Sequence, residues 1–124
     1  MQIFMTKWFQ RWATREMLTN NALVAAVEEK GQGLVDAELG GHLVKKRIGT
    51  RARGKSGSVR TLLAIQLDEK AFFIYGFSKN ERSNVSKREL KALKLLASEL
   101  LGYTDASLKK AMKAGELIEV NSDG

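Results

Sequence analysis

Residues 59–77, VRTLLAIQLDEKAFFIYGF, decide the fold. Val59, Thr61 and Ile65 supply β-branched side chains to the first apolar run, and Asp68, Glu69 and Lys70 make a tight polar turn before the second. Two strand-like runs around a short turn predict an antiparallel hairpin. AFFIYGF, residues 71–77, is apolar on both faces, so it is expected at the centre of a sheet. Upstream, Gly40 and Gly41 precede LVKKRI, residues 43–48, and a glycine-rich basic loop runs from Gly49 to Gly57. That predicts a further strand before the hairpin.

Helical signals flank this block. Gln2 to Met5 reads as a short first strand, after which Thr6 caps a helix whose Phe9, Trp12 and Ala13 recur at helical spacing and which ends near Met17. Thr19 caps a second helix, with Leu23, Val24 and Val27 as its inward stripe, running towards Lys30 and the stop at Gly31. Ser86 and Glu89 form a capping box, and Leu90, Leu93, Ala97 and Leu100 then recur at three and four residues, predicting a helix over 87–101 closed by Gly102. Thr104 caps a short helix bearing Leu108, Ala111 and Met112, and Gly115 precedes LIEV and a polar tail. The 124 residues therefore predict one α+β domain: a mainly antiparallel four-stranded sheet packed with N-terminal helices and a C-terminal helix, with 103–124 as a short appendage.

Charge is concentrated in the middle of that plan. Between Leu39 and Leu67 stand Lys45, Lys46, Arg47, Arg51, Arg53, Lys55 and Arg60 with no acidic residue, while the other 14 basic residues are matched by 14 acidic ones. The net charge of +7 belongs to this segment. A local excess of this kind marks a surface that meets polyanions, although a basic loop can also serve solubility alone. The absence of cysteine excludes disulfides and thiolate metal sites. MQIFMTKWFQRW lacks the pattern of a secretory signal, and no apolar run approaches the roughly 20 residues of a membrane span. A soluble cytoplasmic protein with no membrane partner is expected.

One motif is refused. Residues 49–56, GTRARGKS, fit the phosphate-binding loop pattern GxxxxGK(S/T) in every letter. The mechanism behind that pattern needs a helix after the loop, whose N-terminus holds the phosphates. Here a strand-like run follows, so no nucleotide cofactor is expected. The inventory narrows the chemistry further. His42 is the only histidine, which excludes a histidine acid–base pair and leaves it a structural role. Asp36 and Glu38 near it make a poor metal site, and no metal or other cofactor is predicted.

Lys and Arg remain, and they suit one reaction. Cleavage of RNA by its own 2′-hydroxyl needs the phosphate held in line and the negative phosphorane neutralised, which fixed cations accomplish without a metal. Arg is confined to electrostatic and bidentate work because it stays protonated. A lysine acting as general base must be depressed from about 10.4 by neighbouring cations. Strand alternation places Lys45 and Arg47 on one face and Lys46 with Ile48 on the other, and sets Arg60 opposite to Thr61, Leu63 and Ile65. Lys45, Arg47 and Arg60 are thus expected to converge on one open side of the sheet. Tyr75 offers a hydroxyl, though it also reads as core; Lys79 opens KNER just past the strand. Lys46, Arg51, Arg53 and Lys55 complete the candidate RNA contacts.

The stretch GGHLVKKRIGTRARGKSGSVRTLLAIQLDEKAFFIYGFSKNERSNVS resembles the RelE-type toxins of bacterial toxin–antitoxin modules, in particular the HigB-like branch. The shared features are a basic strand, a GK(S/R)G loop, an Arg opening the next strand, and FxYGFxKNE. IFMTKWFQRWA and LGYTDASLKKAMKAGELIEV extend the resemblance over nearly the whole chain. It implies a small cytoplasmic toxin that enters the ribosomal A site and cleaves translated mRNA, held inactive by a cognate antitoxin, often of helix-turn-helix type. By position the family's basic active surface falls on Lys45, Arg47, Arg60 and Lys79, with Arg53 and Lys55 as loop contacts to rRNA or mRNA phosphate. The resemblance implies proton transfer by Lys45 or Lys79 and phosphorane stabilisation by Arg47 and Arg60. Better-known members place a catalytic Tyr near the C-terminus. Tyr103 here follows a helix end without the matching motif, so Tyr75 stands as the substitute candidate. Two other readings keep the charge pattern: a ParE-like inhibitor of DNA gyrase, and a non-catalytic nucleic-acid-binding regulator.

Overall fold

A computed structural model describes residues 1–50, 57–66 and 69–122. The chain runs β1 (Gln2–Thr6), α1 (Lys7–Arg15), α2 (Asn20–Gly31), β2 (Ala37–Gly40), β3 (Leu43–Thr50), β4 (Gly57–Gln66), β5 (Lys70–Ser78), α3 (Lys87–Leu101), α4 (Asp105–Lys113) and β6 (Leu117–Glu119). The expected hairpin forms: β4 and β5 pair antiparallel from Val59↔Ser78 to Gln66↔Lys70, with a bulge between Leu62 and Leu63. β5 lies between β4 and β1 in a sheet of order β2-β3-β4-β5-β1-β6, and its apolar run is buried on both faces. All neighbours pair antiparallel except β1 and β5, which are parallel.

The helix signals hold locally. Thr6, Thr19, Ser86 and Thr104 are the N-caps of the four helices, each side chain accepting from a backbone N–H three residues on. Ser86 and Glu89 complete the capping box, and α3 spans the expected 87–101. The inward stripe of α2 is Leu23, Ala26 and Val27, with Val24 only partly buried against it.

The sheet has six strands rather than four. β2 pairs with β3 at the outer edge, and its alternating partial burial is too weak a pattern to stand out in sequence. β6 pairs antiparallel with β1, so the expected appendage closes the opposite edge of the sheet instead. Leu108, Ala111 and Leu117 enter one hydrophobic cluster and Val120 the other.

Two cores form on the two faces. α1 and α2 cover one face, where Phe9, Trp12, Ala13, Leu23 and Val27 meet Val44, Val59, Leu63 and Phe73. α3 and α4 cover much of the other, where Ala97, Leu100, Leu108 and Ala111 meet Leu43, Leu62, Ala64 and Phe72. Gly76 is dictated by the first core. A Cβ built on it would lie 2.2 Å from Trp12 Cζ3, so the indole ring packs directly on the β5 backbone and tolerates no side chain there.

Candidate active site on the basic sheet face

β3 and β4 pair in a register that places Arg47 directly opposite Arg60 and Lys45 opposite Leu62. Directly opposed residues of antiparallel strands project to one face, and alternate residues share it. Lys45, Arg47 and Arg60 therefore occupy the same side of the sheet, the side that carries Leu62 and the α3 core. Arg47 is exposed, while Lys45 and Arg60 are half-buried. The convergence expected from alternation is present.

Arg60 is held, and Arg47 is not. Asp36, just before β2, brings Oδ2 to 3.6 Å from Arg60 Nε. Ser58, two residues earlier on β4, accepts from Arg60 Nη1 at 3.2 Å. The Arg60 side chain keeps only 12% of its surface exposed, as expected for a guanidinium laid along a sheet rather than extended into water. Arg47 has no ion-pair or hydrogen-bond partner among the described residues. Two cations on adjacent strands, one fixed and one free, can close on a phosphate from two directions.

Lys46 belongs elsewhere. It points to the opposite face, as the alternation of LVKKRI requires, and its ammonium lies 3.1 Å from Glu29 of α2. Its neighbour across the ladder, Thr61, is fully buried and donates to the Lys46 carbonyl at 2.8 Å. Lys46 is a helix-to-sheet tie, set on the face opposite Lys45 and Arg47. Lys79 stands exposed in the turn after β5, next to Ser78, which pairs with Val59. Arg51, Arg53 and Lys55 lie outside the described residues, as does most of the GTRARGKS segment. The element that resumes at Gly57 is a strand, not the helix that a phosphate-binding loop requires.

Tyr75 sits opposite Leu62 on the same face, but its ring and hydroxyl are engaged by other side chains. Trp8 of α1 stacks on it with ring centroids 4.7 Å apart and planes 18° from parallel. Its hydroxyl accepts from Arg82 Nη1 at 3.2 Å. Arg82 also donates from Nε to the Asn84 carbonyl at 2.9 Å and forks onto both carboxylate oxygens of Glu89. The bidentate contact with Arg82, joined by hydrogen bonds from Ser86, lowers the Glu89 carboxyl to about 2. The same contact raises the Arg82 guanidinium above its ordinary value.

Sequence reasoning missed Asp36, Ser58 and Arg82 as site neighbours. Asp36 is committed to Arg60 rather than to a cluster around His42, which instead holds the tight turn between β2 and β3 with a φ of 62°. No spacing rule reaches from Asp36 to Arg60 before the strand order is known. Ser58 was readable, because residues two apart on a strand share a face.

The family model described as RelE toxin of RelE / RelB toxin-antitoxin system matches residues 1–120, and the chain belongs to that family. It is a toxin of a toxin–antitoxin system, with an antitoxin as its partner. No curated protein and no solved structure matches it. Among the described residues, no helix is long and apolar enough to cross a membrane.

Proposed function

We propose that this toxin is a ribosome-dependent mRNA endonuclease of the HigB-like branch, acting in the cytoplasm and neutralised by a helix-turn-helix antitoxin. The observation that carries the reading is the directly opposed Arg47 and Arg60 with Lys45 on the same face. In the proposed reaction the 2′-hydroxyl of a nucleotide attacks its own phosphodiester, the bond to the 5′-oxygen of the next nucleotide breaks, and a cyclic phosphate is left. Arg47 and Arg60 grip the non-bridging oxygens and stabilise the phosphorane, whose charge exceeds that of the bound phosphate. Lys45 on the same face and Lys79 in the turn after β5 are the groups offered for proton transfer. Metal ions have no part in this scheme. The ribosome supplies in-line orientation of the substrate, so free RNA is a poor substrate.

The test is primer extension on mRNA from translating cells after induction, comparing wild type with Arg60→Ala. Cuts at fixed codon positions in the wild type, absent from the variant, are expected. Intact transcripts during wild-type growth arrest overturn the proposal, and filamentation with DNA damage instead points to gyrase.

A further inference from the structure

Arg47 and Arg60 face each other at a cross-strand pair, where like charges repel. Left to themselves, the two guanidinium groups move apart, and Arg60 has the rotamer freedom to do so. Among the described residues one carboxylate opposes this, that of Asp36. Its placement is fixed by its own backbone: the Asp36 N–H donates to the Lys45 carbonyl at 3.0 Å, which anchors the residue on the outer edge of β3. From there its side chain reaches past β3 to Arg60 on β4. Asp36 faces Nε as an ion pair at 3.6 Å and Ser58 accepts from Nη1 at 3.2 Å, the one side-chain hydrogen bond of Arg60 among the described residues, so Nη2 and the second hydrogen of Nη1 are left for a ligand.

We propose that Asp36 is a positioning residue for Arg60, fixing the guanidinium by its Nε edge so that Nη2 and the spare hydrogen of Nη1 are presented to the substrate phosphate. The inference rests on the nuclease reading above. Asp36 does not touch the phosphate; it acts through Arg60. A carboxylate on a surface meant for a polyanion weakens substrate binding, and its compensation is a cation already oriented when charge develops on the phosphorane. Ground-state binding and transition-state stabilisation are therefore expected to move in opposite directions when Asp36 is changed.

The experiment is cleavage of ribosome-bound mRNA by purified wild type, Asp36→Asn and Asp36→Glu, with thermal midpoints measured on the same samples. Asp36→Asn is expected to lower kcat about 10-fold to 100-fold while KM stays level or falls. Asp36→Glu, which restores the carboxylate, is expected to recover most of the lost kcat. The Nε–H resonance of Arg60 should be sharp and protected in the wild type and broadened in Asp36→Asn. An unchanged kcat in Asp36→Asn overturns the inference and leaves the nuclease reading standing. So does a loss of activity that only tracks the loss of folded protein. A wild type that fails to cleave ribosome-bound mRNA overturns both.

Discussion

Two arginines on one half of this toxin are treated in opposite ways. Arg82 spends every nitrogen internally: Nε on the Asn84 carbonyl, Nη1 on the Tyr75 hydroxyl and Glu89, and Nη2 on Glu89. Arg60 has a single carboxylate at a looser 3.6 Å, a hydroxyl at 3.2 Å, and a second arginine facing it across the ladder. Four of five N–H donors engaged, two of them in a bidentate fork, describe a strut. Donors left over beside an uncompensated like charge describe a receptor for an anion. Electrostatic satisfaction, more than charge count, separates the arginine that holds the fold from the one that meets a ligand.

The largest effect that can break this contrast is on activity. Arg60→Ala is expected to cut cleavage of ribosome-bound mRNA roughly 100-fold to 1,000-fold with little change in thermal midpoint, since one donor aimed at developing oxyanion charge is worth that much. Arg82→Ala is expected to do the reverse, lowering the midpoint while the activity per folded molecule persists. Measuring both variants by cleavage and by thermal unfolding decides the matter, and equal activity losses would erase the distinction. Arg47→Ala sharpens it: the unpaired cation should reduce the salt slope of RNA binding by about 1, as the loss of one phosphate contact requires.

A pH effect of intermediate size follows from the strut. Glu89 has its carboxyl lowered from 4.5 to about 2, chiefly by Arg82. A depressed carboxyl stabilises the fold fully above its unfolded value and loses that contribution as pH falls through the folded one. The stability gap between wild type and Glu89→Gln, read from urea midpoints, should be constant above about pH 5 and shrink from there towards pH 2. A gap that stays level across that window would show that the ionised carboxylate, with its Arg82 and Ser86 contacts, contributes nothing that protonation removes.

How far the sequence foretold this depends on the range of each interaction. Thr6, Thr19, Ser86 and Thr104 act within one helical turn, and all four caps were legible. The hairpin around residues 68–70 and the shared face of Lys45 and Arg47 follow from strand period alone. The face of Arg60 follows from alternation too, but its position directly opposite Arg47 needed the β3–β4 register. β2 and β6 escaped because four and three residues at the sheet edges carry too little pattern. The pairing of Asp36 with Arg60 joins residues brought together only by strand order, and spacing along the chain offers Asp36 no role beyond a poor metal site beside His42.

The smallest predicted effect concerns Tyr75, the aromatic that the resemblance offered as a catalytic substitute. Its hydroxyl accepts from Arg82, and its ring is stacked on Trp8 and tilted against Phe77, so its interactions are internal to the fold. Tyr75→Phe removes one hydrogen bond and keeps the stack, which should cost about 1 kcal/mol of stability. Cleavage should stay within roughly 3-fold of wild type, because a hydroxyl that only orients Arg82 contributes nothing to the barrier. A loss approaching that of Arg60→Ala would mean that the hydroxyl leaves Arg82 and reaches the RNA. Tyr75 would then move from these internal contacts to the open face, and the two arginines would be parts of one site.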